Sequence, residues 1–272
     1  MKLVDNDVYG IADTQLYEEL LARYGTGFFH KKLRIETLYE VEELYLAHQH
    51  IKDLSFLRFF PNIKQLDVQG NQITSLKGID YGLHMRRLKL ADNPITSLHG
   101  LSYLKNLEVL DVSRCPVRDI EVIGSLRQMR LLRLSGCHIQ AIPWMKQLQE
   151  LMMLMIDHND IKDVASLSHC CALHELEAGY NQITKVDALC NLPQLTYVNL
   201  EYNDIEDLTL FINMEELSYL NVRHNPIFGD LDVWYDRLFF IEDIILNDDD
   251  YHLSTKEDYD ASLYTYREGE ER

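Results

Sequence analysis

The apolar residues of this chain recur every 22 residues between residues 41 and 227, without insertion or deletion. Each unit opens with a leucine or valine, and a second apolar residue follows two positions later. The opening series is Leu44, Leu66, Leu88, Leu110, Leu132, Leu154, Leu176, Val198 and Leu220. A spacing of two is the side-chain period of a β-strand, so the pattern predicts one short strand in each of nine units.

A polar or sulfur-bearing residue stands five positions after each opening leucine, and an isoleucine or valine follows two positions later. The polar series is Gln49, Asn71, Asn93, Cys115, Cys137, Asn159, Asn181, Asn203 and Asn225. An asparagine amide both donates and accepts hydrogen bonds, so we expect it to satisfy inward-facing backbone groups of the turn. Cysteine is a small, weak donor, and we interpret Cys115 and Cys137 as structural substitutes.

The rest of each unit carries apolar residues three positions apart, as at Leu54 and Leu57. Too few residues remain for a full α-helix, so short 3₁₀ or extended segments are predicted. One unit cannot bury its apolar residues alone, whereas units stacked at a strand spacing of about 4.8 Å form a continuous core and a parallel sheet.

The spacing L-x-x-L-x-L-x-x-N/C-x-I resembles the leucine-rich repeat, in the short 22-residue form of internalins and of the nuclear regulatory subunit of protein phosphatase 1. This resemblance implies an α/β fold: a right-handed leucine-rich-repeat solenoid with a curved parallel β-sheet on its concave face and short 3₁₀ or extended segments on its convex face. It covers about two thirds of the chain. A fold of this kind indicates little about function.

Both ends of a solenoid expose the core and need caps. A predicted helix at 13–23 resembles the amino-terminal cap of the internalins, and a dense apolar block follows the last repeat at 231–245. The predicted organisation is therefore a helical amino-terminal cap (1–40), nine repeats (41–227), an apolar carboxy-terminal cap (228–250) and an acidic, tyrosine-containing tail (251–272).

The charge excludes some partners. Lys plus Arg is 26 and Asp plus Glu is 44, so 26 − 44 gives a net charge of −18, which disfavours nucleic acid and membrane surfaces as partners. The five cysteines are an odd number without C-x-x-C spacing, and two aspartates interrupt the first ten residues. We therefore expect a reduced compartment and a cytoplasmic location.

The residues that flank each opening leucine should face solvent on the concave side, where repeat proteins commonly bind partners. Three zones follow one another along this face: a cluster of basic residues in repeats three to five, an exposed apolar patch in repeats four to six, and acidic residues with tyrosines in repeats seven to nine. The candidate partner-binding residues are Arg87, Lys89, Val109, Arg114, Leu131, Arg133, Met153, Met155, Asp157, His158, Glu177, Tyr180, Tyr197, Tyr202 and Tyr219. An alternative is that sheet curvature, a loop or the tail covers the apolar patch.

The sequence offers no catalytic or metal-binding constellation. It lacks a P-loop, HExxH and GxSxG, and we interpret His48 and His50 as solvated or core-edge side chains, not as metal ligands. We expect no enzyme activity, cofactor or metal.

The first hypothesis is a non-enzymatic module that binds a polypeptide on its concave face. The alternative is an acidic stoichiometric inhibitor or immunity-type protein that acts on a basic enzyme, for which steep salt dependence would be diagnostic. A phosphatase regulatory subunit follows only from the resemblance. Self-association through the apolar patch stays open.

Overall fold

Ten short strands pair in chain order into one parallel sheet. The structure, a computed structural model, describes residues 39–247, so the predicted amino-terminal helix and the acidic tail lie outside the described residues. The strands are β1 (Glu43–Tyr45), β2 (Gln65–Asp67), β3 (Arg87–Lys89), β4 (Val109–Asp111), β5 (Leu131–Arg133), β6 (Met153–Met155), β7 (Glu175–Glu177), β8 (Tyr197–Asn199), β9 (Tyr219–Asn221) and β10 (Asp243–Ile245). The first nine occupy the predicted positions.

The 22-residue period is the pairing register of the sheet. Leu44 pairs with Leu66, and this offset continues to the pairing of Val198 with Leu220. Because side chains alternate along a strand, the central residue of each strand enters the core while the two flanking residues face the opposite side. We call that opposite side the concave face.

Short 3₁₀ segments run along the other side of the solenoid, as the period-three pattern predicts. They span Ser55–Phe59, Ile79–Tyr81, His99–Tyr103, Ile120–Ser125, Pro143–Gln147, Ala165–His169, Asp187–Asn191 and Thr209–Asn213. Each contributes a fully buried side chain, such as Leu57 or Leu101, to the core. Their brevity leaves this side of the solenoid thin.

The asparagines link each repeat to the preceding one. The amide nitrogen of Asn159 donates to the carbonyls of Leu134 and Ile156, both at 2.9 Å, and its oxygen accepts from the backbone N–H groups of Cys137 and Ile139. One buried side chain thus satisfies four backbone groups that no strand partner reaches.

Cysteine reproduces only half of this function. The thiol of Cys115 donates to the Leu90 carbonyl at 3.3 Å, and that of Cys137 donates to the Val112 carbonyl at 3.2 Å. Both thiols are buried, and burial raises the pKa of Cys115 to about 12 and that of Cys137 to about 11. The structural interpretation of these two cysteines is consistent with this geometry.

The chain leaves the 22-residue period after the ninth repeat. Asp230 caps helix α1 (Leu231–Arg237) by accepting a hydrogen bond from the Asp232 backbone, and Trp234 packs into the core. The chain then returns to the sheet as β10, in which Ile244 pairs with Leu220. This tenth strand was not predicted, because the inserted helix places it 24 residues, not 22, after its partner.

Candidate functional site

A row of left-handed residues runs along one edge of the concave face. Each stands four positions after an opening leucine, and we call these positions rungs. The nine rungs are His48, Gly70, Asp92, Arg114, Gly136, His158, Tyr180, Tyr202 and His224, and every one has a positive φ. A positive φ is uncommon outside glycine, but here it turns the chain so that the next residue, usually asparagine, points inward. A backbone hydrogen bond to the following repeat fixes the turn, as from Tyr180 N–H to the Glu201 carbonyl at 2.8 Å.

The last four rungs form a continuous stack of rings, which we call the aromatic ladder. Successive ring centroids of His158, Tyr180, Tyr202 and His224 lie 4.2, 4.4 and 4.0 Å apart, with interplanar angles of 15°, 19° and 22°. All four residues are exposed. The sequence indicated three of them as candidates but missed His224 and the stacking, although a column of rings at strand spacing was the available signal.

An acidic and aromatic group occupies the concave face beside the ladder. Tyr197 stacks on Tyr219 with centroids 4.2 Å apart and donates a hydrogen bond of 2.7 Å to Oε1 of Glu177. Burial, together with the nearby carboxylates of Asp157 and Glu201, outweighs the opposing hydrogen bonds and raises the pKa of Glu177 to about 7. We call Asp157, Glu177 and Glu201, with the adjacent Tyr197 and Tyr219, the acidic group. The sequence had only placed these residues on neighbouring repeats, and the structure brings them together.

An ion pair completes the acidic group. Arg223 donates to Glu201 Oε2 at 2.6 Å, and both side chains are largely removed from solvent. Asp157 accepts a hydrogen bond of 2.5 Å from the Ser135 hydroxyl. The 22-residue period places Glu201 and Arg223 on adjacent repeats, but it does not show that their side chains turn toward each other.

The expectation of a solvent-facing apolar patch is wrong at its centre. Leu131 is 7% exposed and Met153 is 6% exposed, while Val109 and Met155 are half-buried. Leu131 pairs directly with Met153 across β5 and β6, so neighbouring side chains at strand spacing cover one another. The sulfur of Met155 also accepts a hydrogen bond from Arg133 Nε at 3.0 Å. This region is a packed layer, as the sheet-curvature alternative anticipated.

Carboxylates pair with basic side chains of the cluster in repeats three to five and offset their positive charge. Lys89 lies 3.8 Å from Asp67, and Arg114 Nε donates to Asp92 at 2.6 Å. The Arg114 guanidinium lowers the pKa of the Asp92 carboxyl. Arg87 lies half-buried on β3. The cluster is therefore not a free positive surface.

Comparisons with known proteins agree with this architecture. The family model described as Leucine Rich repeats (2 copies) matches residues 40–81, 84–125 and 171–210. No curated protein matches the chain. The chain thus contains leucine-rich repeats, and it folds as a leucine-rich-repeat solenoid of the internalin-like type.

Solved structures share this fold at low sequence identity. An internalin C2 from Listeria monocytogenes is 24% identical, with a TM-score of 0.67 over 69% of this chain and 83% of that one. A TLR13–ssRNA13 complex is 22% identical, with a TM-score of 0.65 over 78% and 33%. The plant peptide hormone receptor RGFR1 in complex with RGF2 is 15% identical, with a TM-score of 0.62 over 79% and 41%. At such identities the likeness concerns the fold alone.

Residues 39–247 hold neither a membrane-spanning helix nor a metal-binding cluster. No helix there has both the length and the apolar character required to cross a bilayer. No three His, Cys, Asp or Glu side chains there are grouped so that they could hold a metal ion.

Proposed function

We propose that this protein is a non-enzymatic interaction module that binds a polypeptide partner on its concave face. The observation that carries the proposal is the aromatic ladder, four exposed rings held in register beside the acidic group. Tyrosine combines a large apolar surface with a polar tip and is enriched in the cores of protein interfaces. We therefore assign the binding surface to repeats six to nine.

The rigidity of these rings favours binding. Tyr180 and Tyr202 have their backbones fixed between repeats and their rings fixed by stacking. Side chains that are ordered before binding lose little conformational entropy in the complex. The surface is therefore preorganised for a partner.

Charge favours a polypeptide over a nucleic acid. Among the structural neighbours, one is a TLR13–ssRNA13 complex and another is a plant peptide hormone receptor in complex with RGF2, so the fold by itself does not decide between nucleic acid and polypeptide. In this chain the net charge is −18, and Asp67 and Asp92 engage two of the basic side chains on the concave side. A phosphate backbone would meet mainly repulsion.

A second candidate function is the acidic inhibitor of a basic enzyme. The acidic group of Asp157, Glu177 and Glu201 supports it, because clustered carboxylates in a protein of this charge would accelerate association with a cationic partner. Such steering would weaken steeply with ionic strength, whereas docking on the ladder rings would depend on salt only weakly.

We further propose a cytoplasmic location. All five cysteines of the chain are free, and Cys115, Cys137 and Cys170 are buried. A reducing compartment would keep such thiols in this state.

Selection of peptides from a random display library tests the proposal. Selected peptides are measured against wild type, the ladder variant Tyr180→Ser/Tyr202→Ser, and the control variant Tyr81→Ser/Tyr103→Ser. Tyr81 and Tyr103 are also exposed but lie in the 3₁₀ segments on the opposite side. We expect the ladder variant to lose about tenfold in affinity and the control to lose nothing.

Equal losses in both variants, or no enrichment of any peptide, would overturn the proposal. The same measurements at low and high salt separate it from the inhibitor function. Sedimentation of the wild type tests self-association as a competing use of this face.

A further inference from the structure

The aromatic ladder ends beside an empty rung. The rung that precedes His158 is Gly136, which has no side chain and a φ of 66°. A Cβ placed on Gly136 would have one neighbouring group within 4 Å, the Cγ of Arg114 at 3.3 Å. The alkyl chain of Arg114 bounds the space beside this rung on one side, and the rest of the space around the Cβ position is open.

The other glycine rung shows that such a space need not stay open. A Cβ placed on Gly70 would clash with Nδ1 of His48, because that imidazole lies over Gly70 and fills its rung. No equivalent covering occurs at Gly136, because the Arg114 guanidinium turns toward the preceding repeat, where Nε and an Nη donate to Asp92. Among the nine described rungs, Gly136 alone is both without a side chain and uncovered.

The open space at Gly136, which we call the slot, is as thick as one planar group. Rings on adjacent rungs of the ladder stack at 4.0 to 4.4 Å. Two strand spacings, about 9.6 Å, separate the rungs of Arg114 and His158, which leaves room for one flat group between them. One face of the His158 imidazole covers Tyr180, so the other face is directed at the open rung.

Carboxylates lie beside the slot. Asp157 accepts a hydrogen bond from Ser135, the residue next to Gly136, and its backbone carbonyl accepts from the Gly136 N–H at 3.0 Å. Asp111 and Asp157 are both close enough to raise the pKa of Arg114, whose own charge Asp92 already engages. A flat group with a positive charge fits these surroundings, and the guanidinium of arginine is planar, stacks on rings and binds carboxylates.

We propose that the open rung at Gly136 is a slot for an arginine side chain of the partner polypeptide, stacked on His158 with Asp157 as its counter-ion. This inference rests on the proposed function and names the chemistry of its ligand. A lysine ammonium carries charge without a flat surface, and a phenyl ring is flat without charge. Both should bind less well than arginine.

NMR titrations with three small probes test the slot directly. N-acetyl-arginine amide, N-acetyl-lysine amide and N-acetyl-phenylalanine amide are added separately while the ring resonances of His158 are followed. We expect arginine to shift them at concentrations about fivefold lower than either other probe. Equal binding of lysine, or stronger binding of phenylalanine, would overturn the assignment.

Two variants test whether arginine binds in the slot. Gly136→Tyr fills the slot on a rung whose backbone already accommodates tyrosine at Tyr180 and Tyr202, and it should abolish the arginine response. Asp157→Asn should weaken arginine about fivefold while keeping an acceptor for Ser135, so it tests the proposal even if Gly136→Tyr folds poorly. The control variant Tyr103→Ser removes an exposed ring from a 3₁₀ segment on the opposite side of the solenoid and should bind arginine as wild type does. An unchanged arginine response in Gly136→Tyr or Asp157→Asn contradicts the slot.

The failures of the two proposals are distinguishable. If display yields peptides that bind the ladder, show no arginine preference and tolerate Gly136→Tyr, the slot is wrong while the interaction module stands. If N-acetyl-arginine amide binds at His158 but display yields no peptide, a guanidinium site exists at Gly136, but the polypeptide-binding function is wrong, and with it the assignment of the arginine to a polypeptide partner.

Discussion

The phenol of Tyr197 donates a hydrogen bond of 2.7 Å to the carboxyl group of Glu177, which lies one repeat earlier in the chain. The bond crosses from β8 to β7 on the concave face, where Asp157 and Glu201 add negative charge from the repeats on either side. Burial and these two neighbours outweigh the hydrogen bonds and raise the pKa of Glu177 to about 7. A carboxyl group of the concave face therefore titrates near neutral pH.

This relationship predicts a pH-dependent stability. The pKa of Glu177 rises from 4.5 to about 7 on folding, so the folded protein retains a proton that the unfolded chain releases. The contribution of Glu177 to the free energy of unfolding is fully present below pH 4.5 and is lost as the pH rises to about 7. The loss amounts to about 3 kcal/mol. Urea denaturation at pH 5 and pH 8 should show a smaller stability difference in Glu177→Gln than in wild type.

The control for this prediction is Glu108→Gln, which changes a carboxyl group at another partly buried position, paired with Arg86 at 3.4 Å. It should leave the difference between pH 5 and pH 8 close to that of wild type. A Glu177→Gln variant with the full wild-type difference would show that Glu177 titrates in its ordinary range.

Asn159 should be among the most sensitive single positions for folding. Its amide serves four backbone groups, and Asn159→Ala would leave several of them buried without partners, at a cost of about 3 kcal/mol or more. Asn159→Cys should cost less, because Cys115 and Cys137 donate from equivalent positions. Free energies of unfolding from urea titrations check the order. Equal stability of the alanine and cysteine variants would contradict it.

Leu131 should behave as a buried residue although it flanks a strand on the concave face. Leu131→Asp places a charge at a site that is 7% exposed and should destabilise the fold by about 3 kcal/mol or more. Leu83→Asp is the matched control, since Leu83 is 50% exposed. The thermal midpoints of the two variants test this expectation. A midpoint unchanged in both variants would show that Leu131 faces solvent.

Ring stacking should stabilise the ladder. Tyr202→Ser removes two stacking contacts and should lower the free energy of unfolding by about 1 kcal/mol. Tyr202→His should lose less, because the ladder already holds imidazoles at His158 and His224. Urea denaturation of the two variants tests this order, and a serine variant as stable as the histidine variant would argue against stacking.

The cysteines should divide into two reactivity classes. Cys171 and Cys190 are exposed, whereas Cys115, Cys137 and Cys170 are buried with raised pKa values. A thiol reagent should therefore label two cysteines rapidly in the native protein and the other three only on unfolding. Mass spectrometry of timed samples gives the labelled count. Rapid labelling of Cys115 or Cys137 would contradict the buried positions of these thiols.

The sequence predicted the elements of the repeat because one physical requirement recurs in every unit. A leucine such as Leu110 and the asparagine or cysteine that follows it must point inward wherever strands stack in register, so the 22-residue spacing also predicts the strand positions and the pairing. The tenth strand escaped prediction because helix α1 breaks the period, and no repeat positions mark Asp243–Ile245.

The sequence by itself therefore determined the period, the strand register and the inward-facing residues, because each depends on a pattern within one unit. The tertiary structure alone decided which outward-facing residues are available. Leu131 is buried because Met153 lies beside it, and Gly136 stays open because Arg114 turns toward Asp92. These outcomes depend on contacts between side chains 22 residues apart in the sequence, which become neighbours only after the repeats have stacked.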